Sequence, residues 1–553
     1  MRRIQTGYIL LLALVGWGGA PVRAAVRLPA LFGEHMVLQR GGPVPVWGWA
    51  APGEPVRITL GTAAAATVAD AAGRWRVQLP EIPAGGPYEL TVAGENTITL
   101  RNVMVGEVWL CAGQSNMKGA LKGVAGGAEA AAAAEGTDIR LFSVATVVAS
   151  APLEDVTGSW AVAGPRSAGS FSAVGWFFGE ALQRSLDVPL GLILCAEGAT
   201  RAEFWVGAET LESDPDFQWV VRRWEAYAAE QKLFEQFPDL LAQMTTLYRE
   251  GRLERKIYKH VPSGLYYGML RPLTTFPLRG VIWYQGESNA GRAHVYRKLL
   301  PALIAEWRRD WGRELPFLIV QLPQIATWPD FAELREAQLL TARTVQRTGL
   351  AVTFDVGDPA EVHPRNKRPF GERLARLARA MVYGEDLESS GPLLSEWQRE
   401  GAAIRLRFTH AAGGLVARDG QPLAGFVMAG ADRVFHPAQA LIEGDTVIVR
   451  SAQVAEPVTV RYAWADNPPC SLYNQAGLPA SPFRLDDWPG VTERDIAEAR
   501  TDPVQMAYLV DYYLNLNLPA QARGCLDAWQ GDDAFRDAQI EKFNAAAGDN
   551  RPD

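Results

Sequence analysis

From residue 25 to about residue 100 the apolar positions fall in short alternating runs, punctuated by Pro and Gly: Val44 to Trp49, Val56 to Leu60, Trp75 to Leu79, Tyr88 to Val92 and Thr97 to Leu100. Alternation turns one face of each run inward, which predicts a small β domain over 25–100. Beyond Arg101 the runs lose their alternation. Val105 to Cys111, Leu190 to Cys195, Gly280 to Tyr284, Phe317 to Leu322 and Leu350 to Asp355 read as strands buried on both faces. Between the first two, Val174, Phe177, Phe178, Ala181 and Leu182 recur at helical spacing, predicting a helix from Ser172 to Leu186; a second, Pro369 to Met381, closes the series. Strands divided by helices predict an α/β domain over 101–390, with a parallel sheet flanked by helices and its chemistry at the carboxyl ends of the strands.

The stretch 206–262 is charged, aromatic-rich and helix-prone, and reads as an insertion that forms one wall of the cleft. From 391 to 490 alternation returns (Ile404, Leu406 and Phe408; Val458, Val460 and Tyr462), predicting an accessory β-sandwich domain, and 491–553 form a polar, helix-prone tail. At the start, Arg2 and Arg3 precede an apolar stretch from Tyr8 to Trp17, and Val22-Arg23-Ala24 precedes Ala25. This is the pattern of a secretory signal peptide spanning 1–24, so export to the periplasm or the medium is expected. The apolar stretch is shorter than the roughly 20 residues a membrane-spanning helix needs, and no later run is long enough.

Composition narrows the function classes. The 553 residues exceed what one core usually organises, and 48% hydrophobic with 21% charged is a globular balance. Asp and Glu outnumber Lys and Arg by 62 to 54, a net charge of -8 that offers no general attraction to nucleic acid. Four cysteines (Cys111, Cys195, Cys470 and Cys525) are too few for a disulfide framework in a chain this long. Eighteen tryptophans suit a protein that handles sugars, although most aromatic residues serve packing.

Three strand ends carry candidate chemistry. Ser115 stands where a buried strand runs into Ala112-Gly113-Gln114-Ser115, a setting that exposes a hydroxyl above a sheet. The Gly-x-Ser-x-Gly elbow of α/β-hydrolases would need Gly at 117, which is Met. Of six histidines, only His363 lies in a short polar loop just past a strand, with Asp358 and Glu361 close in sequence. That is the setting of a general base held by an acid. In the third segment, Gly280 to Ala290, Gln285 and Asn289 are amide donors able to reach a substrate oxygen, and Gly286 permits close backbone approach.

The blocks WLCAGQSNM, GVIWYQGESNA, LREAQ and DVGDPAEVHPRNKRPFGERLA closely resemble the sialate O-acetylesterase family of secreted SGNH (GDSL-like) hydrolases, and the resemblance runs from about Leu28 to Trp488. It implies a serine esterase that removes O-acetyl groups from carbohydrates through an acetyl-enzyme, with Ser115 as nucleophile, His363 as base, and no metal or cofactor. It also implies an oxyanion site made by the Ser115 amide, the Gly198 amide and a side-chain donor, either Asn289 or Gln285. Two departures stand out. Glu361 occupies a place where the family commonly has Asp, so the third triad member is Glu361 or, alternatively, Asp358. Glu197-Gly198-Ala199-Thr200-Arg201 replaces Trp-Gly-Gly-Thr-Pro, bringing charge toward the pocket or a surface ion pair. Acetylated sialic acid and acetylated plant polysaccharides such as xylan or xyloglucan are both within the family's range. Arg201, Arg292 and Lys367 are the cations that could meet a sialate carboxylate. A glycan-binding protein without activity is the competing class, and the intact Ser115 and His363 segments argue against it.

Overall fold

The computed structural model describes residues 25–218, 261–411, 413–493 and 533–548, together with 221, 222, 224, 246, 247 and 526. The expected signal peptide, most of the 206–262 insertion and most of the tail lie outside the described residues. Of the tail, a helix Asp533–Gly548 is described.

Seven strands form the central sheet: β1 (Thr97–Gly113), β2 (Ile139–Ser143), β3 (Trp160–Val162), β4 (Leu190–Ala196), β5 (Gly280–Tyr284), β6 (Phe317–Gln321) and β7 (Thr348–Val352). Their order is β7-β6-β5-β1-β4-β2-β3. All neighbours run parallel except β3, which is antiparallel to β2 at the edge. Every residue of β4, β5, β6 and β7 is buried, as their unbroken apolar runs require of a sheet covered on both faces.

Among the described residues four long helices cover it: α1 (Ala173–Leu186), α2 (Ala293–Trp311), α3 (Phe331–Thr344) and α4 (Arg368–Met381). Helix α1 packs on α4 and α2 on α3. The α1–α4 approach is tight enough that a Cβ on Gly371 would come within 2.5 Å of the Phe178 nitrogen. Ser172 caps α1 by accepting the Gly175 amide at 2.9 Å. Strand β7 stops at Val352, short of the Asp355 expected from hydrophobicity. The Thr353 hydroxyl donates to the Gln321 carbonyl and Arg373 to the Val352 carbonyl, both at 2.6 Å, so side chains replace the ladder there.

Strand β1 runs unbroken through residue 101. Its first half pairs antiparallel with Gly85–Ala93 of the amino-terminal β region and its second half pairs with β4 and β5. Midway, the buried Glu107 carboxylate accepts from Arg40 and Arg279 at 2.6 Å and from Gln39 at 3.0 Å, tying that region to the sheet. At the far end the chain builds two four-stranded antiparallel sheets. One holds Leu393–Glu400, Ala403–Thr409, Thr446–Arg450 and Gln439–Glu443; the other Phe435–Pro437, Phe426–Ala429, Thr459–Tyr462 and Phe483–Arg484. Phe408 and Phe483 join them with ring centroids 5.9 Å apart. The architecture is therefore α/β with accessory β domains. Among the described residues no helix is long and apolar enough to cross a membrane.

Candidate active site

Strands β2 and β4 lie on one side of β1, and β5 to β7 on the other, so the chain changes direction across the sheet at β1. A crevice opens at the carboxyl ends beside such a switch. Ser115 follows β1, Gly198 follows β4, Gln285 and Asn289 follow β5, and His363 follows β7.

Strand β1 ends in a glycine for a steric reason. Gly113 has φ +140, and a Cβ there would lie 2.0 Å from the Tyr284 carbonyl oxygen. The chain can then turn sharply, with the Gln114 amide donating to that carbonyl at 3.0 Å, and Ser115 opens the short helix Ser115–Lys118. Its Oγ lies 2.9 Å from His363 Nε2. The other ring nitrogen, Nδ1, faces Glu361 Oε1 at 3.4 Å, and the same oxygen accepts the His363 backbone amide at 3.0 Å. Both side chains are about half exposed (51% and 53%), so this contact is loose and solvent-screened. Asp358 turns its carboxylate into its own loop, accepting the Ala360 amide at 2.9 Å.

Gly198 brings backbone alongside the serine: a Cβ on it would stand 3.6 Å from Ser115 Cβ. That turn is pinned from below by Thr200, which donates to the Glu197 carbonyl at 2.7 Å and accepts from Trp205 Nε1 at 3.1 Å. Gln285 and Asn289 sit in this support. Both are buried; Gln285 Nε2 lies within hydrogen-bond distance of Gln114 Oε1, the Thr200 carbonyl and Asn289 Oδ1, sharing its two hydrogens among them. Asn289 Oδ1 also accepts the Ala202 amide at 3.0 Å, and its Nδ2 donates to Glu203 at 2.9 Å. The structure thus turns the donors of these two amides toward protein acceptors beneath the Gly198 turn.

Beside the serine lies a buried cluster of which the sequence singled out only Lys367, as a possible partner for a substrate carboxylate. Asn116 Nδ2 donates to Glu287 Oε1 and to the Val362 carbonyl, while its Oδ1 accepts from Lys367 Nζ. Burial pushes the Glu287 carboxyl up, opposed by the Asn116 bond and by the Lys367 and His363 charges. Burial likewise lowers the Lys367 ammonium to about 7, partly offset by Glu287 and Glu361. The LREAQ block also proves to be support. Arg335 donates to the carbonyls of Leu322, Pro323, Ala465 and Asp466, and Gln338 to those of Gln285 and Val320.

Of the three candidate cations, Lys367 is buried on Asn116, and Arg292 is buried with Nη2 3.1 Å from Glu203; Arg201 is exposed. Glu197, expected near the surface, is buried, accepting from Lys118 and Thr146 at 2.5 Å each. Cys111, Cys195 and Cys470 are free thiols, and Cys525 lies outside the described residues.

Residues 105–236 and 255–380 match the family described as carbohydrate esterase, sialic acid-specific acetylesterase. The sialate O-acetylesterase of Rattus norvegicus is 30% identical, the match covering 70% of this chain and 78% of that protein. That of Mus musculus is 29% identical, over 83% and 94%. A solved carbohydrate acetylesterase from Xanthomonas citri is 38% identical and superimposes with a TM-score of 0.74, over 84% of this chain and all (100%) of that one. With the Ser115, Gly198, Gln285 and His363 segments all inside the matched intervals, the chain belongs to the sialic acid-specific acetylesterase family of carbohydrate esterases.

Proposed function

We propose that this esterase is a serine enzyme that removes O-acetyl groups from carbohydrates through an acetyl-enzyme at Ser115, and that it works after export. The observation that carries the reading is the 2.9 Å contact between Ser115 Oγ and His363 Nε2 at the switch point of the sheet. With its proton on Nδ1, toward Glu361, the imidazole presents an unprotonated Nε2 to the serine hydroxyl. His363 takes the Ser115 proton as Oγ attacks the acetyl carbonyl. The Ser115 and Gly198 amides, which the family resemblance assigns to the oxyanion, stabilise it as it develops, and the protonated imidazole then delivers its proton to the departing sugar oxygen. Water, deprotonated by the same nitrogen, attacks the acetyl-enzyme, and the imidazole returns that proton to Ser115 Oγ as the acyl bond breaks and acetate is released. Gln285 and Asn289 act as positioning residues that hold the Thr200–Ala202 backbone behind the oxyanion site. Export rests on the pattern of residues 1–24. Sequencing of the exported protein should read from Ala25, and retention of Met1 would contradict it.

A neutral acetylated polysaccharide is favoured over sialate by one observation: two of the three candidate cations are committed inside the protein. Acetate release should be compared for acetylated xylan, acetylated xyloglucan and 9-O-acetyl sialic acid, with an acetylated aryl ester as reference. Preferred turnover of a polysaccharide supports this reading. A preference for the sialate that disappears in Arg201→Ala would reassign the substrate and place its carboxylate on Arg201.

A further inference from the structure

Asn116 is the residue after the proposed nucleophile, and Val362 is the residue before the proposed base. The Asn116 Nδ2 donates to the Val362 carbonyl at 2.9 Å, so one side chain bridges the chain neighbours of both reacting groups. A carboxamide has two N–H donors and one carbonyl, and here each is occupied: Val362 and Glu287 on the nitrogen side, Lys367 on the oxygen side. A carboxyl oxygen at one end and an amine at the other fix which way the amide faces. Reversed, it would set its oxygen against a carboxylate and a carbonyl, and its NH₂ against an amine. The cluster is buried, with Asn116 1% exposed, Lys367 3% and Glu287 5%. The Phe370 and Tyr284 rings cover the Lys367 nitrogen at 4.9 Å and 5.3 Å, so it faces no substrate. An amine donates to Asn116 whether or not it carries the extra proton.

His363 needs such a brace. Its own acid contact is the loose 3.4 Å approach of the half-exposed Glu361. Among the described residues its loop has two other backbone anchors, Arg365 to Ala125 and Pro359 to Ala326, neither of which reaches the nucleophile's helix.

We propose that Asn116 and Lys367 are a pair of positioning residues: Lys367 locks the orientation of the Asn116 amide, and the amide holds the His363 loop to the Ser115 helix at the distance proton transfer requires. The inference rests on the Ser115–His363 reading. Displacements of about 1 Å in such a pair cost roughly a hundredfold in rate, so the effect is large enough to measure.

The test is a double-mutant cycle of Asn116→Leu and Lys367→Met, reading kcat and KM for an acetylated aryl ester, with melting curves and Ser115→Ala alongside. Each single variant should lose about tenfold to a hundredfold in kcat with KM within about twofold. The double variant should be no worse than Asn116→Leu alone, because the two act as one unit. A merely structural role would lower the melting temperature and leave kcat of the folded fraction intact. If Lys367→Met does not fold, Glu287→Gln/Lys367→Met removes both buried charges together and takes its place. Wild-type kcat in either folded variant, or losses that multiply in the double variant, would overturn the pairing. Full activity in Ser115→Ala would instead overturn the serine reading, and this inference with it.

Discussion

At the level of single residues, the acid beside His363 is the most loosely held contact of the Ser115–His363 pair. Glutamate carries one more methylene than aspartate, and here the extra length brings one oxygen to both the His363 amide and Nδ1, at 3.0 and 3.4 Å. A contact this exposed orients more than it stabilises. Glu361→Gln should therefore cut kcat by only about tenfold, well short of the about 10⁴-fold loss when a buried triad acid is replaced. Asp358→Asn, which alters only a turn, should stay near wild type. Steady-state kinetics of the two variants decide between them, and the opposite ranking would move the role to Asp358. Ser115 and His363 were legible because a serine at a strand end and a histidine in a short loop past another strand are local patterns. Asn116 and Glu287 were not, and Lys367 was read only as a possible partner for a sialate carboxylate, since their roles depend on contacts between segments up to 251 residues apart. The one signal pointing to them is their place inside the blocks that carry the family resemblance. Gln285 and Asn289 were found as amides at a strand end, but which acceptors their donors meet became visible only with the Gly198 turn packed above them.

Among the elements, the buried strands were legible from unbroken apolar runs, and α1 and α4 from helical spacing. Helix α2 was not read from the sequence, although Val295, Leu299, Leu300, Leu303, Ile304 and Trp307 are buried along it. Pro301 sits in its middle and charged residues crowd the rest, masking the period. Strand β2 was missed because Arg140 interrupts its apolar run after one residue, although Ile139 to Phe142 are all buried. The loop after β6 acquires a function at this scale. Arg335 and Asp466 anchor it to the accessory β region, and the Ala326 amide ties it to Pro359 of the histidine loop at 2.8 Å. Trp328, 44% exposed, stands on this loop, two residues past the Ala326 amide that meets the histidine loop. A sugar ring stacked on its indole predicts that Trp328→Ala raises KM for an acetylated polysaccharide about fivefold, a loss of about 1 kcal/mol. KM for an acetylated aryl ester should not change; equal effects on both would show that the loop acts on the site and not on the sugar.

Across the whole molecule, β1 makes the amino-terminal β region and the catalytic sheet one structure, which strand patterns on either side of residue 101 did not reveal. Hydrophobicity changes character there, while the hydrogen-bond ladder does not. The joint also depends on Glu107, a buried carboxylate whose partners come from both regions. Removing one member of such a group leaves charges unpaired, so Glu107→Ala should cost about 3 kcal/mol in stability. Glu107 lies six residues from Gly113 along an extended strand, about 20 Å from the site, so kcat of the folded protein should be preserved. A melting curve unchanged by the substitution would show that β1 alone holds the joint. Whatever the frame contributes, it converges on one serine and one histidine, and acetate release tests that convergence directly. The purified protein should release acetate from an acetylated carbohydrate, and Ser115→Ala, folded and with the same melting temperature, should lose at least about a thousandfold in kcat. Acetate released by Ser115→Ala at the wild-type rate would contradict the account.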